Sequence, residues 1–156
     1  MNIPDPLFHC TVIQVTGLTE QLYQACLRLV PQLTSNNPPP TRQELALMLS
    51  DGKSYLYLAR HQAFGEELVG LATLVLYRVP TGLRGYIEDV VVDERARGRR
   101  IGEALTRACL ERAEEAGCQQ VMLTSNPGRE AANRLYRRMG FELRKTNVYR
   151  YNFKRD

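Results

Sequence analysis

Apolar and polar positions along the chain switch between an alternating pattern and a helical one, and the switches mark the elements. Residues 9–16 (HCTVIQVT) alternate and carry β-branched side chains, which predicts a strand. Leu22, Cys26, Leu29, Val30 and Leu33 then recur at helical spacing, with Thr19 placed to cap that helix. The run Asn36-Asn37-Pro38-Pro39-Pro40 cannot be regular structure and predicts a loop. Thr41 with Glu44 three residues later predicts a capping box, opening a short helix that runs to about Leu49 and stops at Asp51-Gly52.

Residues 54–60 (SYLYLAR) and 68–79 (LVGLATLVLYRV) predict a hairpin with its turn at 61–67. Pro80-Thr81-Gly82 turns the chain into a third consecutive strand, which ends at Val92. A helix follows from about Ile101 to Ala116, with Ile101, Ala104, Leu105, Ala108 and Ala116 on its inner face and Gly117 to end it. Residues 120–124 (QVMLT) predict a strand, 129–139 a helix ended by Gly140, and 141–153 one or two closing strands. The order is β-α-α-β-β-β-α-β-α-β. Antiparallel hairpins first and a βαβ crossover later predict an α/β fold: a mixed, mostly antiparallel central sheet flanked by helices on both faces. One domain over residues 1–156 is expected, irregular only in the first eight residues and in the 34–41 loop.

Composition adds limits. With 156 residues, 44% hydrophobic and 24% charged, the chain can bury an ordinary core as one domain. No apolar run approaches the roughly 20 residues of a membrane span. The start, MNIPDPLFHC, has neither the basic nor the apolar region of a signal peptide, so a cytoplasmic location is expected. Four cysteines without CxxC spacing and two distant histidines predict reduced thiols and no metal site. The net charge of +4 is mild, and much of the excess lies in residues 95–100 and 134–138.

The informative segment is residues 87–102, IEDVVVDERARGRRIG. An apolar strand ends at Val92, a polar turn follows, and Arg97-Gly98-Arg99-Arg100-Ile101-Gly102 opens a helix. The first-turn N–H groups of a helix have no carbonyl partner within it, and its dipole adds partial positive charge. Such a loop is an anion site suited to a phosphate or pyrophosphate. The bland alternative is a solvated basic turn or a nucleic-acid patch. The placement of Gly98 and Gly102, where backbone is expected to approach something closely, favours the anion.

The segment resembles the signature of the GNAT superfamily of acyl-CoA-dependent N-acyltransferases, Gln/Arg-x-x-Gly-x-Gly/Ala. A second stretch, Ala132-Asn133-Arg134-Leu135-Tyr136-Arg137-Arg138-Met139-Gly140-Phe141, resembles the family's A-x-x-x-Y-x-x-x-G-F ending. Two departures stand out. Arg100 replaces the middle glycine, and Arg129 stands where an Asn often precedes the Ala. A helical residue 100, with no positive φ, is the expectation. The Glu-Asp pair before the loop is also similar to that of the glucosamine-6-phosphate N-acetyltransferases.

The resemblance implies acetyl-CoA as cosubstrate, no metal, and transfer to a primary amine of a small molecule or of a protein. It implies that the strand at Val90, Val91 and Val92 splays from residues 121–125 and receives the pantetheine arm, with a backbone N–H polarising the thioester carbonyl. Amides from Gly98 through Arg99, Arg100 and Ile101 to Gly102 would cradle the pyrophosphate, Arg97 and Arg99 would reach phosphates, and Asn133 would bond the cofactor. Tyr136 would be the general acid for the leaving thiolate, against the alternative of a core tyrosine. Glu88, directly or through a water, is the candidate base, with Asp89 the alternate. Alternation along a strand allows just one of the two to face the acceptor. Tyr149 and Tyr151 suit either the acceptor side or edge-strand packing. No cysteine has a visible activating base, so direct transfer in a ternary complex is expected. Dimers are common in the family. The alternatives are a basic nucleic-acid- or partner-binding module and an idle domain that senses acyl-CoA.

Overall fold

The computed structural model describes residues 3–5 and 9–153. It separates into two compact units, residues 1–124 and residues 125–156.

The first unit is built on one sheet. Its strands are β1 (Ile3–Asp5), β2 (Cys10–Gln14), β3 (Ser54–His61), β4 (Leu68–Val79), β5 (Gly82–Val92) and β6 (Val121–Met122). They lie in chain order across the sheet, each antiparallel to the one before, until β6 joins β5 in parallel. The parallel step needs a crossover, and helix α3 (Ile101–Glu115) supplies it. Helices α1 (Glu20–Leu33) and α2 (Arg42–Ser50) connect β2 to β3.

Alternation along β3 shows why both faces are covered. Leu56, Tyr57, Leu58 and Ala59 are all buried, so the strand faces apolar matter on each side. Leu56, Leu58 and Leu71 pack with Leu22, Cys26 and Leu29 of α1 and Leu45 of α2. Ala59 lies opposite Gly70 in the ladder, and the Gly70 side of the sheet meets Leu105 and Ile101 of α3. One pair of helices thus covers one face, and α3 covers the other.

The caps follow the sequence. Thr19 accepts from Leu22 N at the start of α1. Thr41 and Glu44 form the reciprocal capping box of α2. At the end of α3, Gly117 takes φ 81, and Cys118 N donates back to Ala113 O.

Three expectations need correction. Ile3–Asp5, expected to be irregular, pairs with β2; residues 6–8 lie outside the described set. Pro4 is tolerated because β1 is an edge strand. The strand expected over 120–124 is limited to Val121–Met122. Residues 141–153 contain no strand. Their β-rich composition expresses a fit to a pleated neighbour, and it makes no strand where no ladder forms.

Gly70 is the point of closest approach between sheet and helix. A Cβ there would sit 3.0 Å from Leu105 Cδ1 and 3.1 Å from Ile101 Cγ2. Gly70→Val is expected to destabilise the fold by about 1–3 kcal/mol through overpacking. Gly17→Ala, with nothing within 4 Å, serves as the near-neutral control in urea unfolding.

Candidate active site

The centre of the site is an irregularity in β5. The register against β4 runs Leu74↔Ile87 and Thr73↔Glu88, then resumes at Leu71↔Val91, so the β5 side carries one residue more than β4 does. That extra residue is taken up as a bulge, with Asp89 in the left-handed region at φ 53. Asp is among the residues that tolerate this conformation. Strict alternation, the ground for expecting just one of Glu88 and Asp89 to face an acceptor, therefore fails here. Both residues are exposed. Partial desolvation of the Glu88 carboxyl, then the charge of Asp89, raises its pKa above the ordinary carboxylate value.

The other edge of β5 is open where a ligand strand would need it. β6 pairs with β5 at Gly85↔Val121 and Tyr86↔Met122, and among the described residues the pairing goes no further toward Val92. Val91 is buried beneath this edge, with Val90 and Val92 partly exposed. Backbone groups on that side are available to an extended guest, apart from Val92 O, which accepts from Arg97 Nε.

Beyond Val92 the chain turns on a buried carboxylate. Asp93 is 1% exposed. Its Oδ1 accepts from Arg95 N and Nε, and its Oδ2 accepts from Arg95 Nη2 at 2.8 Å and Arg28 Nε at 3.2 Å. These bonds, those from Arg95 first, depress its pKa to about 2. Glu67 takes Arg95 at 2.7 Å and Arg28 at 3.4 Å. A 3-10 turn, Glu94–Ala96, follows, and Gly98 then takes φ 77 with nothing within 4 Å of its missing Cβ. The glycine at 98 thus answers a backbone conformation and no close contact within the chain.

The arginines of the loop sort into two classes. Arg95 is neutralised by Asp93 and Glu67, and Arg100 by Glu103 at 2.9 Å. Arg97 Nε donates to Val92 O, and Arg99 lies over the Phe64 ring at 5.5 Å. Among the described residues neither Arg97 nor Arg99 has a carboxylate partner, so both guanidinium charges remain for an external anion. His61, beside Phe64, is held below its usual pKa by burial and then by the Arg99 charge. Arg100 is the residue before α3 and takes φ 60, which corrects the expectation of a helical conformation there. It supplies no side-chain cap, so the α3 N-terminus lacks the internal acceptor that α1 and α2 have. Asp93, Glu67, Glu103 and Phe64 join the site without a motif of their own in the sequence. For the first, the available signal was an Asp directly after the apolar run of valines and two residues before Arg95.

The second unit carries Tyr136 and Asn133 on α4 (Glu130–Arg138). Phe141 N donates to Tyr136 O at 3.0 Å and Gly140 N to Arg137 O at 3.1 Å, with Gly140 at φ 93. This is a Schellman ending, and it explains the Tyr-x-x-x-Gly-Phe spacing. It also brings Phe141 edge-on to the Tyr136 ring, with centroids 5.7 Å apart. Tyr136 is partly exposed, so it is no fully buried core tyrosine. Asn133 Nδ2 donates to Asn126 O at 2.9 Å and Arg129 O at 3.0 Å, closing the turn before α4. Its Nδ2 donor is thus committed to the chain. Tyr149 and Tyr151 are exposed and lie in no strand.

Burial raises the Cys26 thiol to about 11 and the Cys109 thiol to about 12, which removes both as nucleophiles near neutrality. Among the described residues no group of three or more His, Cys, Asp or Glu side chains could hold a metal ion, and no helix is long and apolar enough to cross a membrane.

The sequence profile of the acetyltransferase (GNAT) family matches residues 15–141. The chain belongs to the GNAT family.

Among its relatives is a probable glucosamine 6-phosphate N-acetyltransferase of Oryza sativa, 35% identical over 113 residues. The match covers 67% of this chain and 66% of that protein, slightly under two thirds of the relative's length. The glucosamine 6-phosphate N-acetyltransferase of Trypanosoma brucei brucei is 38% identical over 135 residues, 83% of this chain and 88% of that protein. In fold, this GNAT chain resembles an aminoglycoside N-acetyltransferase solved in complex with CoA, at TM-score 0.73 and 17% identity, with 92% of this chain and 95% of that one covered.

Arg100 holds a left-handed conformation in this GNAT loop. A left-handed non-glycine residue costs about 1 kcal/mol or more. Arg100→Gly is therefore expected to be more stable than Arg100→Ala by about 1 kcal/mol, since both lose the Glu103 pair and just one keeps a Cβ. Denaturant unfolding of the two variants measures the difference; equal stability would contradict the assigned conformation.

Proposed function

We propose that this protein is an N-acetyltransferase that moves the acetyl group of acetyl-CoA directly to a primary amine in a ternary complex. The observation that carries the reading is the continuous run from the open edge of β5, through a loop with two uncompensated arginines, to an N-terminus of α3 without a side-chain cap. An extended amide-bearing arm ending in a pyrophosphate fits that run. Backbone groups of Val90, Val91 and Val92 hold the arm. The amides from Gly98 to Gly102, with Arg97 and Arg99, take the phosphates.

In the reaction the amine nitrogen bonds to the thioester carbonyl carbon and the carbon–sulfur bond breaks. The amine proton passes to Glu88, directly or through a water, and the departing thiolate takes the Tyr136 hydroxyl proton. A backbone N–H of the bulged strand stabilises the oxyanion. The buried thiols favour direct transfer over an acyl-cysteine route. A nucleic-acid role is disfavoured because Arg95 and Arg100 are already neutralised within the chain.

The names of the rice and trypanosome relatives make a phosphorylated amino sugar the first acceptor to try. Thiol release should be followed with acetyl-CoA and a panel of glucosamine 6-phosphate, aminoglycosides, polyamines, amino acids and peptides. Calorimetric titration that detects no acetyl-CoA binding would overturn the reading. Tyr136→Phe is expected to lower kcat roughly 100-fold with little change in the KM for acetyl-CoA, the signature of a lost general acid.

The pH profile tests the base. A carboxylate accepts a proton when ionised, and the Glu88 pKa is raised, so the acidic limb of kcat/KM should lie above the ordinary Glu value. Part of that rise comes from the Asp89 charge, so Asp89→Asn should move the limb to lower pH, and Glu88→Gln should remove it. An unmoved limb in Asp89→Asn would assign the titration to another group.

A further inference from the structure

Two side chains of α1 reach the turn that leads into the basic loop. Gln32 Oε1 accepts from Glu94 N at 2.8 Å, the first amide after Asp93. Arg28 Nε donates to Asp93 Oδ2 at 3.2 Å, and Arg28 Nη2 donates to Leu68 O at the start of β4. The two are linked in turn, since Gln32 Nε2 donates to Arg28 O at 3.2 Å. Meanwhile Asp93 N donates to Val69 O at 2.9 Å, and the Asp93 carboxylate holds the backbone and guanidinium of Arg95. The residue that sets the direction of the loop is thus gripped from the sheet and from α1.

Packing alone does not require these groups. The apolar contact of α1 with the sheet is made by Leu22, Ala25, Cys26 and Leu29. Gln32 and Arg28 lie at that helix's margin, and Arg28 is one-third exposed. Their hydrogen bonds go to the start of β4, at residue 68, and to the turn just before the loop, at residues 93 and 94.

We infer that Arg28 and Gln32 are positioning residues for the phosphate loop: α1 clamps the Asp93–Glu94 corner and so fixes where Gly98 to Gly102, Arg97 and Arg99 present their donors. This rests on the acetyl-CoA reading given above. A loop held at its entry loses less freedom on binding an anion, so the clamp strengthens affinity for the phosphate part of the cosubstrate and leaves the thioester end untouched.

The test is a double substitution, Arg28→Met with Gln32→Leu, and each single one, in the full chain. Calorimetry should give a Kd for acetyl-CoA weakened about tenfold in the double variant, on the scale of the two hydrogen bonds it removes at the Asp93–Glu94 corner. With an active amine, KM for acetyl-CoA should rise by a similar factor while kcat holds. KM for S-acetylpantetheine, which has no phosphate, should not change. Arg28→Lys should restore part of the affinity by keeping a charge beside Asp93. Melting curves separate clamp from scaffold. A variant with a lowered Tm and an unchanged Kd overturns the inference, as does an equal loss with S-acetylpantetheine. Wild-type protein that binds no acetyl-CoA overturns the underlying reading instead, so the two failures are distinguishable.

Discussion

The pairing of β5 with β4 carries two demands, and the bulge at Asp89 lies between the residues that meet them. β5 must stay in the ladder from Gly82 to Val92 to bury Ile87 and Val91. It must also leave its outer edge open past Tyr86, where β6 stops. A flat strand could do both, but it would point Glu88 and Asp89 to opposite faces. The extra residue breaks the alternation, increases the local twist and exposes both carboxylates on one stretch. The strain is one left-handed residue of a type that accepts it, a modest cost beside the apolar burial of the two strands.

The same economy governs charge in the basic tract. Arginines close together repel, and a loop made of them would not hold its shape. Here the ones that shape the loop are neutralised from beneath: Arg95 by Asp93 and Glu67, and Arg100 by Glu103, a residue 6% exposed. Those that remain uncompensated, Arg97 and Arg99, are the ones oriented by softer contacts, a carbonyl and an aromatic face. A buried carboxylate is costly unless it is bonded, and Asp93 is bonded by two guanidinium groups and a backbone amide. Removing either arginine leaves the other to carry that compensation. Structure and charge in the loop are therefore one problem.

Much of this was legible in the sequence because the signals were local. Thr19, Thr41 with Glu44, Gly117 and Gly140 fix helix ends through bonds three to five residues long, and all four act as their residue types predict. The hairpin of β3 and β4 and the long β5 follow from alternation and turn residues. What was not legible depends on partners distant in the chain. The bulge at Asp89 is a register mismatch with β4, invisible in IEDVVV alone. Asp93 meets Arg28 from 65 residues away. The positive φ at Arg100 reverses a local argument that a helix start needs none, because the turn before α3 takes that residue first. Residues 141–153 show the converse error, strand composition without a ladder.

Tyr136 shows why a structural and a chemical explanation of one residue need not compete. The Schellman ending of α4 commonly carries an apolar contact between the residue two past the cap and the one three before it, and Phe141 with Tyr136 supplies it. By that account the tyrosine is packing. Yet the contact uses the ring, and the side chain stays partly exposed. A general acid needs its hydroxyl held in one place before substrate arrives, since every rotamer left open is entropy lost in the transition state. The edge-on Phe141 ring removes that freedom. In the proposed reaction, the glycine that ends the helix and the phenylalanine that follows it would serve proton transfer through the ring they hold.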